Sequence, residues 1–334
     1  MDKVLIIRFG PLGDVAISIP VVYNVALNYP QHKFYLLTKK QFTPIFVDTP
    51  PNLTIIPIDL GVSDGFWGLN KFYNSNLKPL GITKVADISN ILRAWILDAR
   101  LIAGGAVVRC REKVKRDSEK LLRRENKDMS PLKPYYARYA DVFRSLGYDV
   151  KYEFKAFDVP APKTFDFDSS LKYVGVAPFS AHERKVYSLE RTKRVVEMLS
   201  GLPQVKVLLF GGGANEKQIL ESWAAEFSNV ESMVGRFSMV EELGVMKKLN
   251  VMLSMDSANM HLCSLVGTPV VSVWGPSHPY VGFYAWGQPL SNAVQLDLPC
   301  RPCSECGAEP CYRGDMACMD IPCQNVFLKI KEFL

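Results

Sequence analysis

Short apolar runs that end in a polar or glycine turn and lead into a helical segment recur along this chain. The first run, over residues 3–9, precedes a predicted helix over residues 13–28. An apolar run without polar alternation is typical of a buried parallel strand, because helices cover both faces of such a sheet. Strands and helices alternate in this way over residues 3–109 and again over residues 172–274. The pattern predicts an α/β protein with parallel sheets.

The length of the chain and a change in its texture predict two domains. A single hydrophobic core rarely grows beyond about 250–300 residues, and this chain has 334. Prolines and aspartates cluster just after residue 158, which is the composition of a linker. We therefore predict two α/β domains, over residues 1–158 and 159–323. Residues 324–334 have an amphipathic pattern and are expected to form a helix that can return to the N-terminal domain.

The composition is that of a cytoplasmic globular protein with one unusually basic segment. Hydrophobic residues make up 48% of the chain, and no apolar stretch approaches the roughly 20 residues of a membrane span. Residues 109–128, the basic segment, contain nine basic and five acidic residues. They can form a solvated helix face or a contact for an anionic membrane surface. A nucleic-acid partner is not expected, because no known nucleic-acid module accompanies them.

Polar side chains follow several of the predicted strands, where ligands bind in doubly wound sheets. Helix N-termini at that edge offer unpaired N–H groups to anions such as phosphates. The candidate ligand-binding residues are Gly13, Asp14, Ser180, Lys185, Gly212, Glu216, Asp256, Ser257, Ala258 and His261. Asp256 and Ser257 can also cap the following helix, and His261 can instead orient that turn from within the helix. The first turn matches neither a P-loop nor G-x-G-x-x-G, which argues against an ATPase or a dehydrogenase.

Three groups of motifs carry a resemblance to a known family. They are Ile6-Ile7-Arg8 with Leu12-Gly13-Asp14-Val15, Ala177-Pro178 with Lys185, and Asp256-Ser257-Ala258 with His261 and Gly275-Pro276. Together they resemble glycosyltransferase family 9, the ADP-heptose:lipopolysaccharide heptosyltransferases, over nearly the whole chain. The resemblance implies a GT-B fold, with two facing Rossmann-like domains and a cleft between them. It also assigns the acceptor to the first domain and the nucleotide sugar to the second.

Family roles transfer to individual residues of this chain. The resemblance implies that Asp14 is the general base, that Lys185 contacts the nucleotide diphosphate, and that Glu216 contacts the ribose. Residues 256–258 would grip the sugar nucleotide. The implied reaction is an inverting transfer of heptose from ADP-heptose to a lipopolysaccharide core or lipid A-type acceptor. No metal cofactor is expected, because none of the predicted strand-end turns carries an Asp-x-Asp motif that could present paired carboxylates to a diphosphate-bound cation. The Asp166-Phe167-Asp168 sequence lies in the predicted linker.

The expected partners are a nucleotide sugar and a phosphorylated glycolipid. Arg123 and Arg124 are the predicted acceptor contacts, since they lie in the first half of the chain and are basic. The enzyme would then meet the inner face of the cytoplasmic membrane peripherally. Two alternatives remain open: a GT-B transferase that uses another sugar nucleotide and glycan acceptor, and a nucleotide-sugar-binding protein without catalysis. A zinc-dependent nucleic-acid binder is a more distant third.

Six of the eight cysteines lie close together near the C-terminus. They are Cys300, Cys303, Cys306, Cys311, Cys318 and Cys323. Reduced thiols, a structural zinc site and disulfides are three alternative states, and a reducing compartment disfavours the last. A zinc site would use Cys300, Cys303, Cys311 and Cys318, the four that match cysteines of some family members.

Overall fold

The computed structural model describes residues 1–113 and 115–334. Val114 lies outside the described residues, and so does the side chain of Lys115, one of the nine basic residues in the basic segment. The described residues form two compact units. Unit 1 contains residues 1–113 and 133–154, and unit 2 contains residues 115–132 and 155–334.

Strands and helices alternate along most of the chain. The strands are β1 Lys3–Arg8, β2 Lys33–Lys39, β3 Leu53–Ile58, β4 Lys84–Asp87, β5 Val107–Cys110, β6 Lys172–Ala177, β7 Val205–Leu209, β8 Val230–Ser232, β9 Val251–Met255, β10 Val270–Trp274 and β11 Ala293–Gln295. The helices are α1 Leu12–Ala16, α2 Ile19–Asn28, α3 Gly65–Phe72, α4 Leu92–Ala103, α5 Lys115–Leu122, α6 Tyr135–Ser145, α7 Leu189–Ser200, α8 Gly213–Glu226, α9 Met239–Lys247, α10 Ala258–Leu265 and α11 Cys323–Lys331.

Unit 1 is built on a parallel five-stranded sheet in the order β3-β2-β1-β4-β5. Its central strand β1 is buried on both faces, because Leu5 and Ile6, whose side chains point to opposite faces, are both fully inaccessible to solvent. This burial explains the unbroken apolar run that opens the sequence. The prediction of a parallel α/β sheet is confirmed here.

The helix predicted over residues 13–28 is two helices, α1 and α2, so that prediction was wrong. The interruption lies at Ile17 and Ser18, and Pro20 is the second residue of α2. Proline has no N–H to donate to the carbonyl four residues earlier, so a continuous helix would lose that hydrogen bond. The Ser18 N–H instead donates to the Val15 carbonyl at 3.1 Å, which tightens the chain between the two helices.

Unit 2 contains a parallel six-stranded sheet in the order β11-β10-β9-β6-β7-β8. Strand β9 lies at its centre and is buried along its whole length. The sequence predicted every strand of this sheet except β11, a strand of three residues. Two Rossmann-like α/β units are the components of the GT-B fold, and the fold class is confirmed.

The division between the units differs from the predicted boundary at residue 158. Residues 115–132, assigned to the N-terminal domain from the sequence, belong to unit 2. The Lys127 ammonium donates to the Pro302 carbonyl at 2.6 Å, and the Leu132 N–H donates to the Tyr280 carbonyl at 2.8 Å. Residues 155–158 also belong to unit 2, where the Phe157 N–H donates to the Leu265 carbonyl. These bonds join segments more than 100 residues apart, so local sequence patterns do not reveal them.

The C-terminal helix α11 is part of unit 2. It packs against α7, and Val326, Phe327 and Ile330 enter the core of unit 2. The amphipathic helix expected near residues 324–334 is present, and its apolar stripe is buried within unit 2. Among residues 1–113 and 115–334, none of the helices has both the length and the apolar character that crossing a bilayer demands.

Candidate functional site

The strand order of unit 2 brings three predicted polar turns to neighbouring positions. Strands β10, β9, β6 and β7 are adjacent and parallel, so their carboxyl ends share one edge of the sheet. Asp256 follows β9, Ser180 and Lys185 follow β6, and Glu216 follows β7. Doubly wound sheets bind ligands at this edge, outside the carboxyl ends of the strands.

Lys185 and Asp256 form a nearly buried ion pair at this edge. The Lys185 Nζ lies 2.7 Å from Asp256 Oδ2, and the side chains are 11% and 6% exposed. The Ser277 hydroxyl donates to the same Oδ2 at 2.7 Å. The Ser180 hydroxyl donates to the backbone carbonyl of Asp256 at 3.3 Å. Asp256 therefore holds the ammonium in place and does not cap α10, which corrects the capping role expected from the sequence.

Sequence reasoning missed Ser277 and the arginine that holds its turn. Arg301 is 4% exposed, and its guanidinium donates to the carbonyls of Gly275 and Ser277 and to Gln295 Oε1. Several carbonyl acceptors on one guanidinium give the chain after β10 a defined path. Arg301 lies between two cysteines of the cluster, and nothing in that local pattern indicated its contacts with residues near 275.

Sequence reasoning also did not identify Gly307, which packs against the aliphatic part of the Lys185 side chain. Its φ is +77°, a conformation that favours glycine. A Cβ added there would lie 2.7 Å from the Lys185 Cγ. The Gly307 N–H donates to the Ser304 hydroxyl at 2.7 Å, which fixes the loop locally. Gly307 thus allows this loop to pack directly against the lysine.

The glycine turn after β7 is organised by Glu216. The Gly212 N–H donates to Glu216 Oε2 at 2.7 Å, and a Cβ on Gly211 would lie 2.9 Å from that oxygen. Gly213 has a φ of +80°, so the turn needs glycine at this position too. Within the described residues Oε1 accepts no hydrogen bond, so this oxygen of Glu216 can accept one from a ligand.

The start of α10 carries three of the candidate residues. Ser257 occupies the N-cap position without capping the helix, and its hydroxyl lies 3.1 Å from that of Ser254. Ala258 is the first helical residue. The first-turn N–H groups therefore have no side-chain acceptor at the N-cap and can bind an anion. His261 lies one turn further along and is 5% exposed.

In unit 1, Asp14 lies in α1, which follows the carboxyl end of β1, and it forms an ion pair with Arg8. The guanidinium is 3.0 Å from Asp14 Oδ2, and its Nε donates to the backbone carbonyl of Asp14 at 3.0 Å. The Arg8 guanidinium also donates to the backbone carbonyl of Ile88, which directly follows the neighbouring strand β4. The Arg8 side chain is 4% exposed and the Asp14 side chain is 28% exposed. The buried guanidinium therefore orients a carboxylate that is still accessible to solvent.

The glycines of this first turn have separate uses. A Cβ on Gly10 would lie 3.0 Å from Asp14 Oδ2 and 3.1 Å from its Cβ. Gly10 therefore lets the turn close around the carboxylate. Gly13 lies inside α1, where its carbonyl accepts from the Ile17 N–H at 3.0 Å.

Arg123 and Arg124, the predicted acceptor contacts, belong to unit 2 and not to the N-terminal unit to which the sequence analysis assigned them. Both are exposed, and the Arg124 guanidinium stacks 4.8 Å from the ring centroid of Tyr312. The basic segment is held to unit 2 through Lys127 and Leu132. Membership of the N-terminal domain therefore no longer supports an acceptor role for these arginines. Their exposed positive charge still does.

The cysteines near the C-terminus are free thiols in this structure. Four thiolates around zinc lie about 3.8 Å from one another, given a Zn–S bond of roughly 2.3 Å. Among the residues described, no three of Cys300, Cys303, Cys311 and Cys318 converge to within 4.8 Å. In this arrangement the four sulfur atoms are too far apart to share one zinc ion. The state of the cysteine cluster stays a prediction.

One group with metal-ligand chemistry that the sequence did not reveal lies in unit 1. The ligand atoms of Asp87, Asp98 and Cys110 lie within 4.8 Å of one another. Burial and the neighbouring Asp87 raise the pKa of Asp98 to about 8. The two carboxyl groups therefore hold a proton at neutral pH, as close like charges do.

Comparisons with known proteins identify the family of this chain. The family described as glycosyltransferase family 9 (heptosyltransferase) matches residues 115–312. Lipopolysaccharide heptosyltransferase 1 of Pseudomonas aeruginosa is 23% identical over 322 residues, covering 90% of this chain and 86% of that protein. Lipopolysaccharide core heptosyltransferase OpsX of Haemophilus influenzae is 23% identical over 305 residues, covering 88% and 82%.

Solved structures share the fold. A family 9 glycosyltransferase from Veillonella parvula has a TM-score of 0.75 at 16% identity, covering 100% of this chain and 98% of that one. The E. coli heptosyltransferase WaaC with ADP has a TM-score of 0.66 at 17% identity, covering 99% and 100%. At these identities the likeness concerns the fold alone.

Proposed function

The chain belongs to glycosyltransferase family 9, and from that premise we propose that it transfers a heptose from ADP-heptose to a lipopolysaccharide core or lipid A-type acceptor. Membership of this family makes the protein a glycosyltransferase. The observation that carries the finer proposal is the Lys185–Asp256 pair at the carboxyl edge of the unit 2 sheet. A fixed ammonium beside a helix N-terminus suits a nucleotide diphosphate. Two relatives are named heptosyltransferases, and the WaaC structure contains ADP.

For donor binding we assign the nucleotide to unit 2. Lys185 meets the diphosphate while Asp256 holds its ammonium from the other side. The N–H groups at Ser257 and Ala258 add uncharged donors to the phosphates. Glu216 accepts from the ribose hydroxyls through its Oε1. Ser180 supports the Asp256 turn, so its contribution is to hold the ion pair in place.

For the chemical step we propose an inverting displacement with Asp14 as general base. The carboxylate takes the proton of the acceptor hydroxyl as that oxygen attacks the anomeric carbon of the sugar. The bond to the diphosphate oxygen breaks on the opposite face, and the leaving diphosphate carries the negative charge. Lys185 and the α10 N–H groups stabilise that developing charge. Arg8 keeps Asp14 oriented through its two contacts with that residue.

The donor assignment is tested by binding and transfer together. We expect ADP to raise the melting temperature of the protein more than UDP or GDP at equal concentration, because selective binding to the native state stabilises it. Transfer from ADP-heptose to heptose-free lipopolysaccharide is then followed by mass spectrometry. A larger shift with UDP or GDP, or product from their sugars, would establish the alternative transferase. Binding without transfer from any donor would establish a non-catalytic protein.

Metal independence is part of the same proposal. Lys185 supplies the positive charge that a divalent cation would otherwise bring to the leaving group. The transfer rate is expected to stay unchanged in EDTA. A rate that disappears in EDTA and returns with Mg²⁺ or Mn²⁺ would contradict a metal-free displacement.

Arg123 and Arg124 remain proposed contacts for the phosphorylated acceptor. Attraction to an anionic lipid surface amounts to about 1 kcal/mol per basic residue. Reversing both to glutamate is expected to raise the acceptor KM at least about tenfold at low salt, and less at high salt, where screening weakens the attraction. The KM for ADP-heptose serves as the internal control. An unchanged acceptor KM at low salt would leave the segment as a solvated helix.

A further inference from the structure

Two tyrosines of α6 lie among three arginines in unit 1. The Tyr135 and Tyr139 rings meet edge to face, with centroids 6.1 Å apart. The Arg8 guanidinium carbon is 5.1 Å from the Tyr139 centroid, and those of Arg111 and Arg138 are 5.3 Å and 4.4 Å from the Tyr135 centroid. The three charges come from β1, from the end of β5 and from α6. Such close spacing of like charges is unfavourable unless anions share the space.

The hydroxyl of Tyr139 is a buried hydrogen-bond donor without an acceptor among the described residues. The residue is fully buried, and within the described residues its hydroxyl makes no hydrogen bond. Burial raises the pKa of Tyr139 to about 12, so the hydroxyl keeps its proton at neutral pH. Arg8, Arg111 and Arg138 all act electrostatically on this hydroxyl, and so does Asp14. A donor buried among cations is matched by an anionic acceptor.

The guanidinium of Arg111 also has hydrogen-bonding capacity that the described residues do not fill. Its Nε is buried and has no hydrogen-bond partner among the residues described. Its other nitrogens donate to the carbonyls of Glu112 and Ser89 at 3.3 and 3.4 Å, which are long contacts. No carboxylate of the described chain forms an ion pair with it, although it does favour the ionised form of Asp87. Arg8, by contrast, is fully engaged with Asp14.

We propose that Arg111 and Tyr139 form a subsite for an oxyanion of the acceptor, either a carboxylate or a phosphate monoester. The inference rests on the proposed function and deepens it. The guanidinium of Arg111 only donates, the protonated hydroxyl of Tyr139 has one hydrogen to donate, and a guanidinium edge fits the paired oxygens of either anion. Arg8 contacts Asp14 and Tyr139 at once, so an anion held here lies next to the proposed base. Arg111 and Tyr139 are therefore positioning residues that bring the acceptor hydroxyl to Asp14.

Tyr139→Phe separates this role from a structural one. The change removes a single oxygen that has no internal partner, so the melting temperature is expected to stay the same or rise. The acceptor KM is expected to rise at least about tenfold, the size of a lost hydrogen bond to a charged group. The KM for ADP-heptose should not change. Arg111→Gln is expected to give the same kinetic pattern.

Two variants in the same unit provide matched controls. Tyr23→Phe removes a hydroxyl that donates to the Val47 carbonyl at 2.8 Å, so it should lower the melting temperature without changing the acceptor KM. Arg144→Gln removes one positive charge from α6, where Arg144 pairs with Asp141 at 3.1 Å. If Arg144→Gln raised the acceptor KM as much as Arg111→Gln, general attraction would explain the effect and the subsite would be refuted.

Modified acceptors identify the anion. Heptose-free lipopolysaccharide is used intact, after reduction of its carboxyl groups, and after enzymatic dephosphorylation. The difference in KM between wild type and Arg111→Gln should vanish with one modified acceptor and persist with the other. A difference that persists with both would overturn the proposal.

A binding measurement keeps this test independent of turnover. Inorganic phosphate or acetate should raise the melting temperature of the wild type more than that of Arg111→Gln. Equal shifts would overturn the subsite even if heptose transfer is observed. Failure of all transfer with a retained difference in shift would instead reject the proposed reaction and support the anion site.

Discussion

Asp14→Asn is expected to lower kcat by about 10²- to 10⁴-fold, the usual contribution of a general base. The amide cannot accept the proton of the acceptor hydroxyl, while the nucleotide contacts assigned to unit 2 are unchanged. The affinity for ADP should therefore stay near that of the wild type, because a group acting only in the transition state contributes little to ground-state binding. Steady-state kinetics and calorimetry with ADP measure the two quantities.

Folding must be controlled in this experiment because Arg8 is buried and pairs with Asp14. Asn at position 14 leaves that guanidinium without its carboxylate, so some loss of stability is expected. Thermal unfolding of the variant shows whether the protein remains folded at the assay temperature. Asp141→Asn, which neutralises an exposed carboxylate of unit 1, is the matched control. Retention of more than about a tenth of the wild-type kcat in Asp14→Asn would remove the residue from the role of base.

Lys185→Ala should weaken ADP binding and also slow transfer. The ammonium meets the phosphates in the ground state and the charge on the leaving group in the transition state, so both Kd and kcat are affected. The variant also leaves Asp256 without its cation in a nearly buried site. Removing one partner of a buried pair destabilises by roughly 3–5 kcal/mol. The Ser277 hydroxyl still donates to that carboxylate, so we expect the lower end of this range.

A second substitution separates the two consequences. In Lys185→Ala with Asp256→Asn, the uncompensated charge is gone, so the free energy of unfolding should recover toward the wild-type value. Affinity for ADP should remain weak, because no ammonium meets the diphosphate. Lys193→Ala, which breaks an exposed pair with Glu226, is the control for loss of a surface lysine. Recovery of ADP affinity together with stability would show that Lys185 acts only through the fold.

Local patterns were sufficient for most of the secondary structure, and they also marked the candidate site residues at the strand ends. Asp14, Lys185, Glu216 and Asp256 were predicted because polar residues directly after buried strands are a local signal. The helix over residues 13–28 failed on another local feature, Pro20, whose missing N–H separates α1 from α2. These predictions, and the error in the helix, depend on neighbours within a few positions in the chain.

What the tertiary structure alone decided is which of these residues meet. The order β10-β9-β6-β7 places Asp256 against Lys185 and adds Ser277, and no property of the separate segments specifies that order. The attachment of residues 115–132 to unit 2, and the position of Arg111 beside Tyr135, likewise depend on contacts between distant segments. The physical reason is that apolar periodicity specifies which face of an element is buried, while packing against remote elements determines its partner. The sequence by itself determined the α/β units and their polar strand ends, and the sheet pairing determined the site.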